Sequence, residues 1–131
     1  MKRVLSAVAA ARILQIALVL LTTFHVLVLV EFIPSDIVWG GEIADSSELL
    51  IKEMIALTVT LLFLIVVTLR LRDVRMHANG KGLRIGVWII GAYFLVNTVG
   101  NLASGVAAEN LIFAPLTVIL ALLAFRLGLI D

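Results

Sequence analysis

The chain has 131 residues, of which 63% are hydrophobic and only 15% charged, with a formal net charge of +1 and no cysteine. Such a composition cannot dress a soluble surface, so a bilayer has to act as solvent. The lack of thiols excludes disulfides, thiolate metal sites and thiol redox chemistry.

The near-zero net charge conceals a segregation. Lys2, Arg3, Arg12, Arg70, Arg72, Arg75, Lys81, Arg84 and Arg126 fall in segments that alternate with those holding Glu31, Asp36, Glu42, Asp45, Glu48, Glu53 and Glu109, and long apolar runs lie between. The nine bases, set against Asp73 and Asp131, leave +7 on one side; the seven acids, set against Lys52, leave −6 on the other. The positive-inside rule puts the basic side, with both termini, in the cytoplasm. These features predict an all-α integral membrane protein of the cytoplasmic membrane. Its single domain, 1–131, is expected to be an antiparallel four-helix bundle.

In chain order, Met1-Lys2-Arg3 has the form of a signal-peptide head, but the apolar run behind it is too long, and the first span reads as an uncleaved anchor. Residues 4–12 extend that helix into the interface. The first span, Ile13 to Ile33, is expected to end at Pro34-Ser35, since proline cannot continue the backbone ladder. Trp39-Gly40-Gly41 follows in the outer loop, an aromatic suited to the headgroup level and two residues that permit a tight turn. Asp45 with Glu48 three residues on has the spacing of a capping box, so the second helix begins before its apolar run, Leu49 to Leu69. Asn79-Gly80-Lys81-Gly82 marks a turn, Ile85 to Gly105 is the third span, Val106 to Asn110 a short link, and Leu111 to Phe125 the fourth span. A faint echo, Leu57-Thr58-Val59 against Leu116-Thr117-Val118, is compatible with a duplicated hairpin or with chance.

Polar side chains inside hydrocarbon are costly and usually face the bundle interior. Helical spacing puts Gln15, Thr22 and His25 on one face of the first span, Glu53 with Leu57 and Thr60 on one face of the second, and Tyr93, Asn97, Asn101 and Ser104 on one face of the third. The rise per residue sets His25 and Asn97 roughly 12 Å below the outer surface and Glu53 and Asn101 roughly 6 Å below it. An outward-facing pocket lined by His25, Glu53, Tyr93, Asn97 and Asn101, with an acidic mouth and with Trp39 as a further ligand-binding residue, is the expectation. Its floor would be the apolar inner halves of the second and fourth spans.

Each residue also has a plainer reading. The asparagine amides can hold helices together. Gly100 and Ser104 form a small-x-x-x-small pair that permits close helix packing. His25 can be a satisfied interior histidine, and Tyr93 can serve packing alone. Lys52 is expected to pair with Glu48 one turn earlier, which leaves Glu53 without a local partner and marks it as a proton or cation site. Glu31 lies on another face and reads as an interfacial carboxylate. No paired metal-ligand spacing, second intramembrane histidine, phosphate loop or nucleophile elbow occurs, so no metal, cofactor or catalytic residue is assigned. The basic inner loop reads as a topology determinant and anionic-lipid contact, with no nucleic-acid partner.

Val38-Trp39-Gly40-Gly41, the Glu53 helix, and Asn97-Thr98-Val99-Gly100-Asn101 leading to Glu109 and Pro115-Leu116-Thr117 together resemble uncharacterised small four-span prokaryotic membrane proteins over most of the chain. The resemblance implies that the Trp-Gly-Gly loop and the paired asparagines belong to one site, and it carries no catalytic roles. Size and span number are similar to those of small multidrug exporters and fluoride channels, but the motifs of neither occur.

The leading functional expectation is binding, with or without transport, of a small neutral or cationic molecule or a lipid headgroup. Glu53 would be the charge partner or proton site, His25 the hydrogen-bonding or proton-exchanging group, and Asn97 and Asn101 orienting amides. Membrane lipids and a homodimer or larger membrane complex are the other expected partners. An accessory subunit ranks second. An acid-base enzyme acting on a lipid ranks last, because the estimated depths of Glu53 and His25 differ by about 6 Å and such groups must reach one substrate atom.

Overall fold

The computed structural model describes residues 4–41 and 43–130, so the charges expected at Lys2, Arg3, Glu42 and Asp131 lie outside the described residues. Four helices account for most of it: α1 (Ala7–Leu29), α2 (Ser46–Arg75), α3 (Lys81–Ala103) and α4 (Ala114–Gly128), the last continuing directly from a π-helical turn at Glu109–Phe113. All four are long and apolar enough to cross a membrane, counting the π turn with α4.

The helix ends are set by local hydrogen bonding more than by the limits of the apolar runs. Ser6 caps α1, its Oγ accepting from the Ala9 amide at 3.0 Å. The helix does not run on to Ile33 as expected. It stops at Leu29 because Glu31 takes a left-handed conformation (φ 61°), while the Phe32 amide donates to Leu27 O at 2.9 Å and the Glu31 amide to Val28 O at 3.0 Å. Those two bonds are the Schellman closure, here with glutamate where glycine is usual.

The end of α2 repeats the device. His77 (φ 55°) is left-handed, the Ala78 amide donates to Asp73 O at 2.8 Å and the His77 amide to Val74 O at 3.2 Å. At its start α2 bears out the capping signal. Asp45 Oδ1 accepts from the Glu48 amide at 2.8 Å, and the Glu48 carboxylate turns back to the Ala44 amide, also at 2.8 Å. The expected Lys52–Glu48 pair is present at 3.1 Å.

Helix α1 packs against α2 and α4, and α3 packs against α4 and α2. Small residues let the backbones approach: Ala7, Ala10 and Ala11 of α1 and Ala121 and Ala124 of α4 are all buried. They join Leu14, Leu18, Val67, Leu71, Val87, Ile90, Leu120 and Leu127 in one apolar core. A second, smaller cluster gathers Val28, Val38 and Leu49 with Phe24, Trp39 and Phe113 beneath the α1–α2 loop. The outward faces are also apolar, with Ile16, Leu20, Ile51, Ile65, Ile89 and Val96 all exposed.

The close approach expected at Gly100 and Ser104 lies elsewhere. A Cβ on Gly100 would meet nothing within 4 Å, whereas one on Gly91 would overlap the Phe125 ring and one on Gly128 would come within 2.7 Å of the Trp88 indole nitrogen. These two contacts join α3 to α4, and Gly86, where a Cβ would come within 3.0 Å of Val66, joins α3 to α2.

At the end bearing the basic residues, Arg70 Nε donates to Leu127 O at 3.0 Å and Arg84 Nε to Gly128 O at 3.1 Å, which satisfies the last carbonyls of α4 and complements its dipole. Arg126 Nε donates to Leu5 O at 2.6 Å. Arg70 and Arg126 are buried and turned onto backbone, so Arg70 does not share the lipid contact expected of the basic inner loop.

Candidate functional site

A cavity of about 170 Å³ opens between the two apolar clusters and is walled by all four helices and the α1–α2 loop. The structure brings five of the six expected site residues to its wall: His25, Trp39, Tyr93, Asn97 and Asn101. The sixth, Glu53, is fully buried (0% exposed) and stands behind two of the others. Its Oε2 lies 2.7 Å from His25 Nδ1, and its Oε1 accepts from the Trp39 indole N–H at 3.0 Å. Glu53 therefore holds two wall residues and does not itself line the cavity.

The contact also corrects the depth estimate. Because α1 ends at Leu29, His25 is only about one turn, or 6 Å, from its helix end, while Glu53 is about two turns, or 10 Å, inside a helix that begins at Ser46. The two side chains span the remaining offset.

Where the Glu53 carboxylate is the acceptor in this contact, His25 carries its proton on Nδ1. Nε2 is then the acceptor, and it has no hydrogen-bond partner among the described residues. A buried carboxylate that orients an imidazole with one free nitrogen is the arrangement by which histidine accepts or relays a proton.

The Trp-Gly-Gly loop supplies the indole by a run of three left-handed residues: Trp39 (φ 55°), Gly40 (φ 67°) and Gly41 (φ 74°). Glycine adopts such angles freely; tryptophan does so at a cost of about 1–2 kcal/mol. The indole N–H bond to Glu53 and the Lys52 ammonium 5.5 Å from the ring centroid offset that cost. The chain reversal turns Trp39 to the cavity wall, in keeping with its place among the expected site residues. It also aims the Gly40 N–H at Glu109, whose Oε1 accepts it at 2.9 Å.

Neither Asn97 nor Asn101 uses its side-chain amide to join helices: among the described residues neither amide has a hydrogen-bond partner, and both border the cavity. Asn110 does the structural work instead, its Nδ2 donating to Asn101 O at 2.6 Å and Ser104 O at 2.9 Å and so closing the end of α3. Tyr93 is half exposed and meets Phe63 edge to face at 5.0 Å between centroids. Besides Glu53, three polar residues of these faces, Gln15, Thr22 and Ser104, lie outside the cavity. Gln15 donates to Thr68 Oγ1 at 3.0 Å, and Thr22 returns its hydroxyl to Leu18 O at 2.8 Å.

Sequence reasoning missed Glu109 as a wall residue, and with it Phe24, Phe63 and Phe113. The available signal was an acid at the first turn of an apolar helix after a very short link, which leaves it little room to reach bulk water. Thr117, one member of the faint internal echo, shares a 2.8 Å hydroxyl contact with Thr98, whereas Thr58 is exposed and bonds its own helix.

Comparison with protein-family models, curated proteins and solved structures finds no match to this chain.

Proposed function

We propose that the protein is a multi-pass protein of the cytoplasmic membrane, a single four-helix antiparallel domain with both termini inside, that binds a small molecule in the cavity at its outer end. Four apolar helices with apolar outward faces support insertion, and the +7 and −6 partition of charge supports the orientation. Arg12, Arg72, Arg75 and Lys81 are exposed and available to anionic lipid headgroups.

The observation that carries the binding reading is the 2.7 Å contact between His25 and Glu53, which fixes an imidazole in the wall of a real cavity with one nitrogen unspent. Asn97 and Asn101 add two unspent amides, and Phe24, Phe63, Phe94 and Phe113 supply an apolar body. Such a mixture, mostly apolar with a few convergent polar groups, is the character of a small-molecule site. The volume suits a benzene-sized moiety, since cavities of about 150 Å³ accept benzene. Beneath it Leu18, Val67 and Leu120 are buried and the core is filled, which favours binding over passage.

Ala56 lines the cavity and is itself almost buried, so Ala56→Phe fills the space from the wall. Native mass spectrometry of protein extracted gently from membranes should show a small-molecule adduct on the wild type that Ala56→Phe lacks, with helical circular dichroism retained. Identical adducts on both proteins would refute cavity binding. The His25–Glu53 contact also supports a second reading, an acid-base enzyme acting on a membrane-borne substrate, since the groups do meet at one point. Loss of substrate turnover with retained adduct in His25→Ala would distinguish it.

A further inference from the structure

Glu109 is 6% exposed, borders the cavity, and spends only one carboxylate oxygen, on the neutral Gly40 N–H at 2.9 Å. Among the described residues the ion pairs are His25–Glu53 and Lys52–Glu48, and neither reaches Glu109. Its second oxygen has no hydrogen-bond partner there either. That oxygen is not fully enclosed, so it is open to a positive charge that enters the cavity beside it.

The rest of the wall fits one kind of cation. Phe24, Phe63, Tyr93, Phe94 and Phe113 present aromatic surface around the same volume, and ring faces attract desolvated organic cations. A small inorganic ion would instead need several oxygen ligands, and no group of three or more His, Asp or Glu side chains converges among the described residues. Glu53 does not compete for the charge, because both its oxygens are occupied by His25 and Trp39.

We infer that the cavity takes a small monovalent organic cation, an ammonium group on an apolar or aromatic body, with Glu109 as its counter-ion. This rests on the binding reading above and names its ligand class. Glu109 also closes the site: its other oxygen holds the Trp-Gly-Gly loop through Gly40, so one carboxylate both meets the charge and fixes the loop over it.

Benzylammonium and ethylbenzene have the same heavy-atom skeleton and differ in charge, which makes them the probes. Full-length protein in nanodiscs is titrated with each at pH 7 while the Trp39 indole ¹⁵N–¹H resonance is followed. The expectation is saturable binding of benzylammonium at least about tenfold tighter than that of ethylbenzene, about 1.4 kcal/mol at this temperature. Glu109→Gln keeps an oxygen for the Gly40 amide, and it should abolish that preference while ethylbenzene binding stays as it was. Ethylbenzene binding as tightly as benzylammonium to the wild type would overturn the cation assignment and leave the cavity reading standing. So would undiminished benzylammonium binding in Glu109→Gln. A Trp39 resonance that neither probe moves would overturn both. The wild-type comparison stands whether or not the variant folds.

Discussion

Replacing Glu53 by glutamine should invert the tautomer of His25 while leaving the fold nearly as stable. In the native chain Glu53 accepts from the Trp39 indole N–H and lies 2.7 Å from His25 Nδ1; with Glu53 the acceptor of both, the His25 proton sits on Nδ1. A glutamine amide has one acceptor and one donor end, and the Trp39 indole can only donate. The amide oxygen must therefore face Trp39, its NH₂ must face His25 Nδ1, and the histidine proton must move to Nε2.

Two charge-assisted bonds become neutral ones, a loss of roughly 2–3 kcal/mol in all. The removal of a buried charge offsets this with a desolvation gain of similar size, so the net change should be within about 2 kcal/mol. Glu53→Ala has no such compensation. It strands the indole N–H and leaves a void, and should cost roughly 2–5 kcal/mol. Ring ¹⁵N shifts of histidine-labelled protein in nanodiscs read the tautomer directly. The chain has only two histidines, and His77→Asn, which tolerates the left-handed angle at that position, assigns the signals. Denaturation in mixed micelles measures the stabilities. A His25 ring that keeps its proton on Nδ1 in Glu53→Gln would refute the reasoning, because the contact would then not select the tautomer.

Gly91→Ala should lower stability by about 1–3 kcal/mol, since its Cβ would overlap the Phe125 ring in a packed interface. Gly100→Ala, on the same helix with open space around it, should be neutral or stabilising by up to about 1 kcal/mol; equal effects of the two in one unfolding assay would contradict the α3–α4 packing described. The cysteine-free chain also allows a clean test of orientation. In intact cells a membrane-impermeant maleimide should label Asp36→Cys and spare Ala78→Cys, and the reverse pattern would invert the proposed topology.

Four apolar helices and the residue that starts α2 follow from the order of residues, because they depend on local terms: hydropathy, helical period and capping. Asp45 was legible as the cap of α2 for that reason. The end of α1 was not, since Glu31 adopts a left-handed angle that glycine would have advertised. Local reasoning also placed His25, Tyr93, Asn97 and Asn101 on inward faces, and all four border the cavity. The partnerships were decided by tertiary structure alone. Glu53 meets His25 28 residues away and Trp39 14 residues away, and Glu109 meets Gly40 across 69 residues. Helical spacing fixes a direction around one axis and says nothing of the height at which neighbouring helices stand against each other; that offset is set by turn geometry and side-chain packing summed over the whole chain. It separates a pair of isolated polar groups from a histidine oriented by a buried carboxylate.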